Sequence, residues 1–324
     1  MRKTINFLVM GLPRVGKTTF LAAFWHVLIS EEVTGALELS ELQPSREHLN
    51  AIAKLWRQWK ELPRTTMPKE RFVSMNLQIL GKEEVYELTI PDSSGEAFRR
   101  MFEMRRCSVD FERLASEAEG ILFFIHPKFA IPPEMIDQSV DDISENIDAT
   151  LALEESGTEA PEVVKEASSL EGETDEVSVV DTLEATGGEN FNEPTLKWTP
   201  RLSCYQAKVV DLLQIARNFR RGRPTRLAIV ISAWDVCEIE KLSPEAWLQK
   251  RLPLCFQYLK ANETEVPFAI YGVSAQGAEL TKPGELVNLI RASDRIRVVV
   301  GAKESKDISI PIRDLLLGEQ ETNK

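Results

Sequence analysis

The chain has 324 residues, 43% of them hydrophobic, and a formal net charge of −12 at pH 7. No apolar run reaches the roughly 18–20 residues that cross a membrane, so we expect no membrane partner. The four cysteines show no C-x-x-C spacing and the three histidines do not cluster, which argues against a structural metal site. We expect reduced thiols in a cytoplasmic protein.

The negative charge is concentrated in one stretch. Residues 131–200 contain 19 acidic side chains and two lysines, whereas the rest of the chain contains 32 acidic and 37 basic side chains. That slight basic excess is too small for a nucleic-acid footprint, so we expect no nucleic-acid partner. Residues 150–195 are rich in Glu, Ser, Thr, Gly and Ala, which predicts disorder. An acidic tether for a partner is the functional alternative.

A phosphate-binding motif follows the first predicted strand, residues 4–10. The spacing G-x-x-x-x-G-K-T begins at Gly11, and a helix-forming sequence follows over 18–30. The glycines let the backbone wrap a phosphate, Lys17 reaches the β- and γ-phosphates, and a threonine hydroxyl binds Mg²⁺. The start of the helix adds its positive dipole end. The predicted nucleotide-binding residues here are Gly11, Arg14, Val15, Gly16, Lys17, Thr18 and Thr19, with Thr18 also on the metal.

Strands and helices alternate along the rest of the chain. Predicted helices cover 45–62, 96–117, 202–219, 243–260, 284–292 and 311–317, and predicted strands cover 71–80, 85–90, 120–127, 227–235, 268–275 and 295–300. This order predicts an α/β fold with a mainly parallel sheet, one antiparallel hairpin strand and helices on both faces. We expect one domain over 1–324, with a helical insertion at 40–64 and a disordered acidic insertion at about 131–200.

Three later strand ends carry polar residues, and in such sheets ligands bind at the carboxyl ends of strands. After the strand ending near residue 90, Asp92 can support Mg²⁺ and the Gly95 N–H can touch a γ-phosphate. Asp235 can accept hydrogen bonds from guanine N1–H and the 2-amino group, although it equally suits a simple turn. The backbone at Ser274 and Ala275 could receive the guanine carbonyl.

The order of these motifs resembles the Ras-like GTPase superfamily of P-loop proteins. The resemblance implies GTP or GDP as ligand and Mg²⁺ as cofactor. It also implies that Thr65 or Thr66, with Thr66 slightly preferred, contacts Mg²⁺ and the γ-phosphate. More narrowly, the Gly11–His26 stretch and D-x-x-G-E at Asp92 look like the bacterial double-GTPase family of GTPase-associated conflict (defence) systems. The expected partners are effector or regulator proteins, including a second GTPase.

Three departures from the superfamily pattern bear on activity. The guanine-reading motif has Ser232 and Ala233 in place of Asn/Thr and Lys, and Trp234 is a candidate to cover the base instead. Glu96 stands where a water-orienting glutamine is usual, and a carboxylate cannot donate a hydrogen bond to the transition state. Arg14 matches an arginine that guanylate-binding large GTPases use in cis, although it also suits a solvent-facing position.

We therefore expect a Mg²⁺-dependent GTP-binding protein with slow hydrolysis that acts as a molecular switch, in which Lys17, Glu96, Arg14 and Thr66 are the catalytic candidates. One alternative is a P-loop ATPase, in which 232–235 is only a turn. Another is a GTP-binding scaffold that does not hydrolyse. Trp56 and Trp59, at helical spacing, are expected to form a packing face rather than a ligand-stacking site.

Overall fold

The computed structural model describes residues 2–41, 46–63, 71–92, 95–131, 199–220, 226–282 and 284–318. The chain divides into two units, residues 1–139 with 203–324 and residues 140–202. The described part of the second unit, 199–202, includes a short 3₁₀ turn at Pro200–Leu202. Residues 132–198 of the predicted acidic insertion lie outside the described residues, as do Thr65 and Thr66. All features below belong to the first unit.

The described strands form one nine-stranded sheet. They are β1 (Arg2–Met10), β2 (Leu37–Glu41), β3 (Arg71–Ile79), β4 (Val85–Asp92), β5 (Gly120–Ile125), β6 (Arg226–Ser232), β7 (Phe268–Ser274), β8 (Arg297–Val300) and β9 (Lys303–Ser305). Their order in the sheet is β2-β3-β4-β1-β5-β6-β7-β8-β9. The five central strands, β4-β1-β5-β6-β7, run parallel, and the two outer strands at each edge are antiparallel.

The apolar runs of β5 and β6 explain why they lie at the centre of the sheet. Every residue of β5 is buried, and in β6 only Arg226 is exposed. Strands buried on both faces need cover on both faces, which helices provide in α/β folds. The parallel register aligns Met10 with Phe123, and Ser232 with Val273. The carboxyl ends of β1, β5, β6 and β7 therefore meet at one edge.

Eight α-helices lie in the described part of the chain. They are α1 (Lys17–Ser30), α2 (Glu47–Arg57), α3 (Gly95–Met104), α4 (Val109–Glu117), α5 (Tyr205–Phe219), α6 (Pro244–Arg251), α7 (Pro253–Ala261) and α8 (Ile310–Leu317). Of these, α4 packs on β1, α6 on β7, and α8 on β5 and β6. The predicted α/β fold is confirmed, and the four cysteines are free.

Two long predicted helices are each broken in two. The first ends before Arg105, whose φ of 53° is left-handed, and α4 restarts where the Ser108 hydroxyl accepts a hydrogen bond from Phe111 N at 3.1 Å. The second breaks at Pro253, because proline lacks an N–H and disfavours helical geometry in the preceding residue. Leu252 accordingly has φ −131° and ψ 61°. The helix predicted at 284–292 is only a 3₁₀ turn, Gly284–Asn288.

The edges of the sheet also differ from the prediction. Residues 40 and 41 of the predicted helical insertion belong to β2, and α2 is shorter than the 45–62 expected. At the opposite edge, β8 and β9 add a second antiparallel pairing where one hairpin strand was expected. Strands of three to five residues contain too few alternations to give a distinct pattern.

Gly272 on β7 lies so close to the Trp234 ring that a side chain there should disturb the core packing. A Cβ atom there would lie 2.4 Å from Cδ2 of Trp234, whose ring is held edge-on against Trp247 at 6.3 Å. Gly272→Ala should therefore destabilise the protein by about 1–3 kcal/mol through overpacking. Urea unfolding measures the change in the free energy of unfolding.

The matched test repeats Gly272→Ala in a Trp234→Phe background. The smaller ring should relieve part of the clash, so the alanine should cost less there. An equal cost in both backgrounds would show that the ring contact is not its cause.

Candidate nucleotide-binding site

The turn between β1 and α1 has backbone geometry that favours glycine. Gly11 and Gly16 have φ values of 147° and 87°, and Arg14 between them is also left-handed at 63°. A Cβ atom at Gly11 would lie 2.8 Å from the carbonyl oxygen of Phe124 and 2.7 Å from Cγ2 of the buried Val15. The turn therefore rests directly on β5, with Val15 packed beneath it.

Positive charge is concentrated at this turn. Lys17 Nζ donates to the carbonyl oxygens of Gly11 at 2.7 Å and Leu12 at 3.0 Å, and it lies 5.6 Å from the centre of the Phe98 ring. Gly16, which precedes α1, has no side chain that could cap the helix, and the first turn of α1 has no acidic residue. Helix N–H groups of this kind bind anions, so the turn fits a phosphate.

Other predicted residues lie around the turn. Arg14 is exposed, whereas Thr18 and Thr19 are half-buried. Among the predicted Mg²⁺ ligands, the side chain of Thr18 is described. That of Asp92, the last residue of β4, lies outside the described part of the structure, as does all of Thr66.

The start of α3 touches the phosphate turn. A Cβ atom at Gly95 would lie 2.3 Å from Pro13 Cα and 2.8 Å from the carbonyl carbon of Leu12, so the contact requires glycine. Glu96, in the first turn of α3, forms an ion pair with Arg99. The predicted γ-phosphate residue therefore lies against the phosphate turn, while the carboxylate beside it has a basic partner.

The end of β6 joins the same site. The Ser232 hydroxyl donates to the carbonyl oxygen of Ile125 at 3.1 Å, which ties the end of β6 to the end of β5. A Cβ atom at Gly16 would lie 3.1 Å from Ser232 Cβ. Ala233 then turns the chain with φ 46° into the 3₁₀ helix Trp234–Glu240. The predicted base motif thus contacts the phosphate turn.

Asp235 and Ser274 lie together, as their predicted roles require. The Ser274 hydroxyl donates to Asp235 Oδ1 and accepts from the backbone N–H of Gly277 at 3.2 Å. Ser274 is 1% exposed, whereas Asp235 is half-buried. The buried hydroxyl therefore fixes the orientation of a carboxylate whose remaining oxygen can accept N–H groups from a ligand.

The expectation for Trp234 is wrong. Its ring is 3% exposed and packs inward on Gly272 and Trp247, so it cannot cover a bound base. A tryptophan directly after a buried strand suits either a ligand or the core, and here the absent side chain of Gly272 makes room for it in the core.

His126 at the end of β5 was not predicted. Its Nδ1 accepts from the backbone N–H of Lys128 at 3.1 Å and so caps the 3₁₀ turn Pro127–Phe129. Burial lowers the pKa of His126 to about 4, with a further lowering from Lys128 that Asp235 opposes. The available signal was a polar residue after a buried strand, the same signal that identified Asp235.

Trp56 was predicted to pack, and it is fully buried, but it also reaches the site. Its indole Nε1–H donates to the carbonyl oxygen of Ala275 at 3.1 Å. The partners are far apart in sequence, and no local pattern indicates the contact.

A phosphate-binding turn after β1, with an oriented carboxylate at the end of β6, defines the class of P-loop nucleotide-binding proteins. The family model Double-GTPase 1 matches residues 8–315, and the chain belongs to that family. It is thus a GTP-binding protein of the P-loop GTPase fold, which confirms the predicted resemblance.

No curated protein matches the sequence. Among solved structures, one that is similar is the signal recognition particle receptor SRb-GTP/SRX complex from Chaetomium thermophilum. The two chains are 11% identical, the comparison covers 87% of this chain and 94% of that chain, and the TM-score is 0.35.

The helices in the described ranges are all too short or too polar to cross a membrane.

The lowered pKa of His126 predicts that the free energy of unfolding depends on pH. Its pKa of about 4 in the folded protein lies below the value of about 6.5 for an unfolded histidine. The unfolded chain therefore binds more protons in this interval, and stability is lost as the pH falls from 7 to 5. Linkage gives a contribution of at most about 2 kcal/mol.

Urea unfolding of wild type and His126→Asn at both pH values measures this contribution. Asparagine does not titrate and keeps an acceptor for Lys128 N–H, so the variant should lose less stability on acidification. An identical loss in the two proteins would contradict the assignment.

Proposed function

We propose that this protein hydrolyses GTP slowly in the presence of Mg²⁺ and acts as a molecular switch for partner proteins. The observation that carries the proposal is the carboxylate of Asp235, which the buried Ser274 hydroxyl orients three residues after Ser232, the residue that contacts the phosphate turn. Membership of the Double-GTPase 1 family supports the choice of guanine over adenine.

The phosphate turn would hold the triphosphate. Lys17 would exchange its bonds to loop carbonyls for phosphate oxygens, and the first N–H groups of α1 would donate to the same anion. Mg²⁺, when bound, neutralises charge that develops on the phosphates. Thr18, Asp92 and Thr66 are its proposed ligands.

The base would be read by two strand ends. Asp235 would accept from N1–H and the 2-amino group of guanine, and the backbone N–H of Ala275 would donate to its carbonyl oxygen. Adenine presents a different edge, with an amino group where guanine has the carbonyl. Ala233 provides no long side chain to cover the ring, so affinity would depend chiefly on these hydrogen bonds.

We expect slow hydrolysis because Glu96 stands where a water-orienting glutamine is usual, which leaves Arg14 as the other catalytic candidate. Glu96 pairs with Arg99, and a carboxylate accepts hydrogen bonds but cannot donate one to the transition state. Arg14 lies exposed at the tip of the phosphate turn, from which a guanidinium can reach the phosphates. A protein partner that completes the site would accelerate turnover.

The partners we propose are effector or regulator proteins, including a second GTPase, in a bacterial conflict system. The family description supports a paired GTPase. We also propose a cytoplasmic location, since free cysteines suit a reducing compartment.

Nucleotide competition tests base recognition. GTP should bind more tightly than ATP, and also more tightly than ITP, which keeps the guanine carbonyl but lacks the 2-amino group. Asp235→Ala should lower GTP affinity by about 10–100-fold, since charge-assisted hydrogen bonds are lost, and should abolish the preference for GTP over ITP. Titration with fluorescent nucleotides measures each affinity.

Asp110→Ala, which removes an exposed carboxylate on α4, is the control and should leave all three affinities unchanged. If ATP competes as well as GTP does for the wild-type protein, the site is that of an ATPase and the proposal fails.

Phosphate release tests the role of Arg14. Arg14→Ala should lower turnover at least about tenfold with GTP affinity nearly unchanged, because an arginine finger acts on the transition state. Arg100→Ala on the exposed face of α3 is the control. Equal turnover in wild type and Arg14→Ala would rule out this role, and no release by the wild type even with its partner would indicate a scaffold.

A further inference from the structure

The end of α2 contacts the loop that would read the base. Trp56 is fully buried, and its indole N–H donates to the carbonyl oxygen of Ala275 at 3.1 Å. Ala275 directly follows Ser274, whose hydroxyl holds Asp235. A helix outside the recognised motifs therefore supplies a hydrogen bond to the segment that supplies base recognition.

Arg295 stacks on the ring of Trp56. The guanidinium carbon lies 3.9 Å from the centre of the Trp56 ring and 4.6 Å from that of Trp59, and the same group donates to the Trp56 carbonyl oxygen. Arg295 is also close to the base loop, because a Cβ atom at Gly277 would lie 2.9 Å from the Arg295 carbonyl oxygen. We name Trp56, Trp59 and Arg295 the tryptophan clamp.

The clamp is attached to α1, the helix that begins at Lys17. Glu32, just past the end of α1, accepts from both the backbone N–H and the hydroxyl of Ser293, two residues before Arg295. It also lies 3.3 Å from His26 Nε2. Burial raises the pKa of Glu32, but the hydrogen bonds from Ser293 together with the contact to His26 lower it below its usual value, so the carboxylate stays charged beside the clamp.

We infer that Trp56 is a positioning residue for guanine recognition. Its indole N–H fixes the Ala275 carbonyl and thereby the direction of the neighbouring backbone N–H groups, one of which is proposed to donate to the guanine carbonyl oxygen. Trp56 acts through Ala275 and does not touch the nucleotide. The inference rests on the proposed function, and it assigns base specificity in part to α2.

The direct test is Trp56→Phe, which keeps an aromatic ring for Arg295 to stack on and removes the N–H donor together with part of the ring volume. The affinities for GTP and ITP should fall equally, by about tenfold, because both bases carry the carbonyl oxygen. ATP affinity should stay within twofold. This pattern differs from that of Asp235→Ala, which removes the preference for GTP over ITP.

Trp25→Phe is the matched control. Trp25 is also buried, and its indole N–H donates to Asn50 Oδ1 at 2.8 Å, between α1 and α2 and away from the base loop. Both variants should lower the melting temperature, but Trp25→Phe should not change the ratio of GTP to ATP affinity. Arg295→Lys is a second variant, should Trp56→Phe not fold, since it keeps the charge but removes the planar group that holds Trp56. It should show the same selective loss.

The outcomes separate the positioning role of Trp56 from the proposed function. Unchanged GTP affinity in folded Trp56→Phe, or an equal loss for GTP and ATP, overturns the positioning role and leaves the proposed function standing. A selective loss in Trp25→Phe as large as that in Trp56→Phe also overturns it. If the wild-type protein does not prefer GTP over ATP, the proposed function itself fails.

Discussion

The site depends on close backbone approach at three glycines. Gly11 lies against the Phe124 carbonyl, Gly16 against Ser232, and Gly95 against the backbone of Pro13. A Cβ atom at Gly11 or Gly95 would push β5 or α3 away from the turn, whereas one at Gly16 would require the side chain of Ser232 to shift by a few tenths of an ångström. One turn is thereby held in contact with three separate elements, β5, the base motif and α3.

Polar contacts on the base side complement this apolar packing. Ser232 bonds to Ile125 and Ser274 bonds to Asp235, so two hydroxyls connect the ends of three parallel strands. The missing lysine at Ala233 is not replaced by Trp234, whose ring belongs to the core. Under the proposed function, recognition would therefore rely on the edge of the base more than on its face.

The buried strands and the motifs at their ends were predictable, because continuous apolar runs such as β5 and fixed spacings such as Gly11 to Thr18 are local signals. The left-handed break at Arg105 depends on one backbone angle that many residues can adopt at low frequency. The bond from Trp56 to Ala275 joins positions 219 residues apart, and only the fold brings them together. The burial of the Trp234 ring was unpredictable for the same reason, because the space for that ring is created by Gly272 on another strand.

The two outermost described strands limit how this protein can assemble. β9 has three residues, with Lys303 and Glu304 exposed, and β2 has five, with Glu38 exposed. Short, charged edges are poor templates for the addition of a foreign strand, which protects against edge-to-edge aggregation. A second copy or a partner would have to dock through side chains and helices, rather than by extending the sheet.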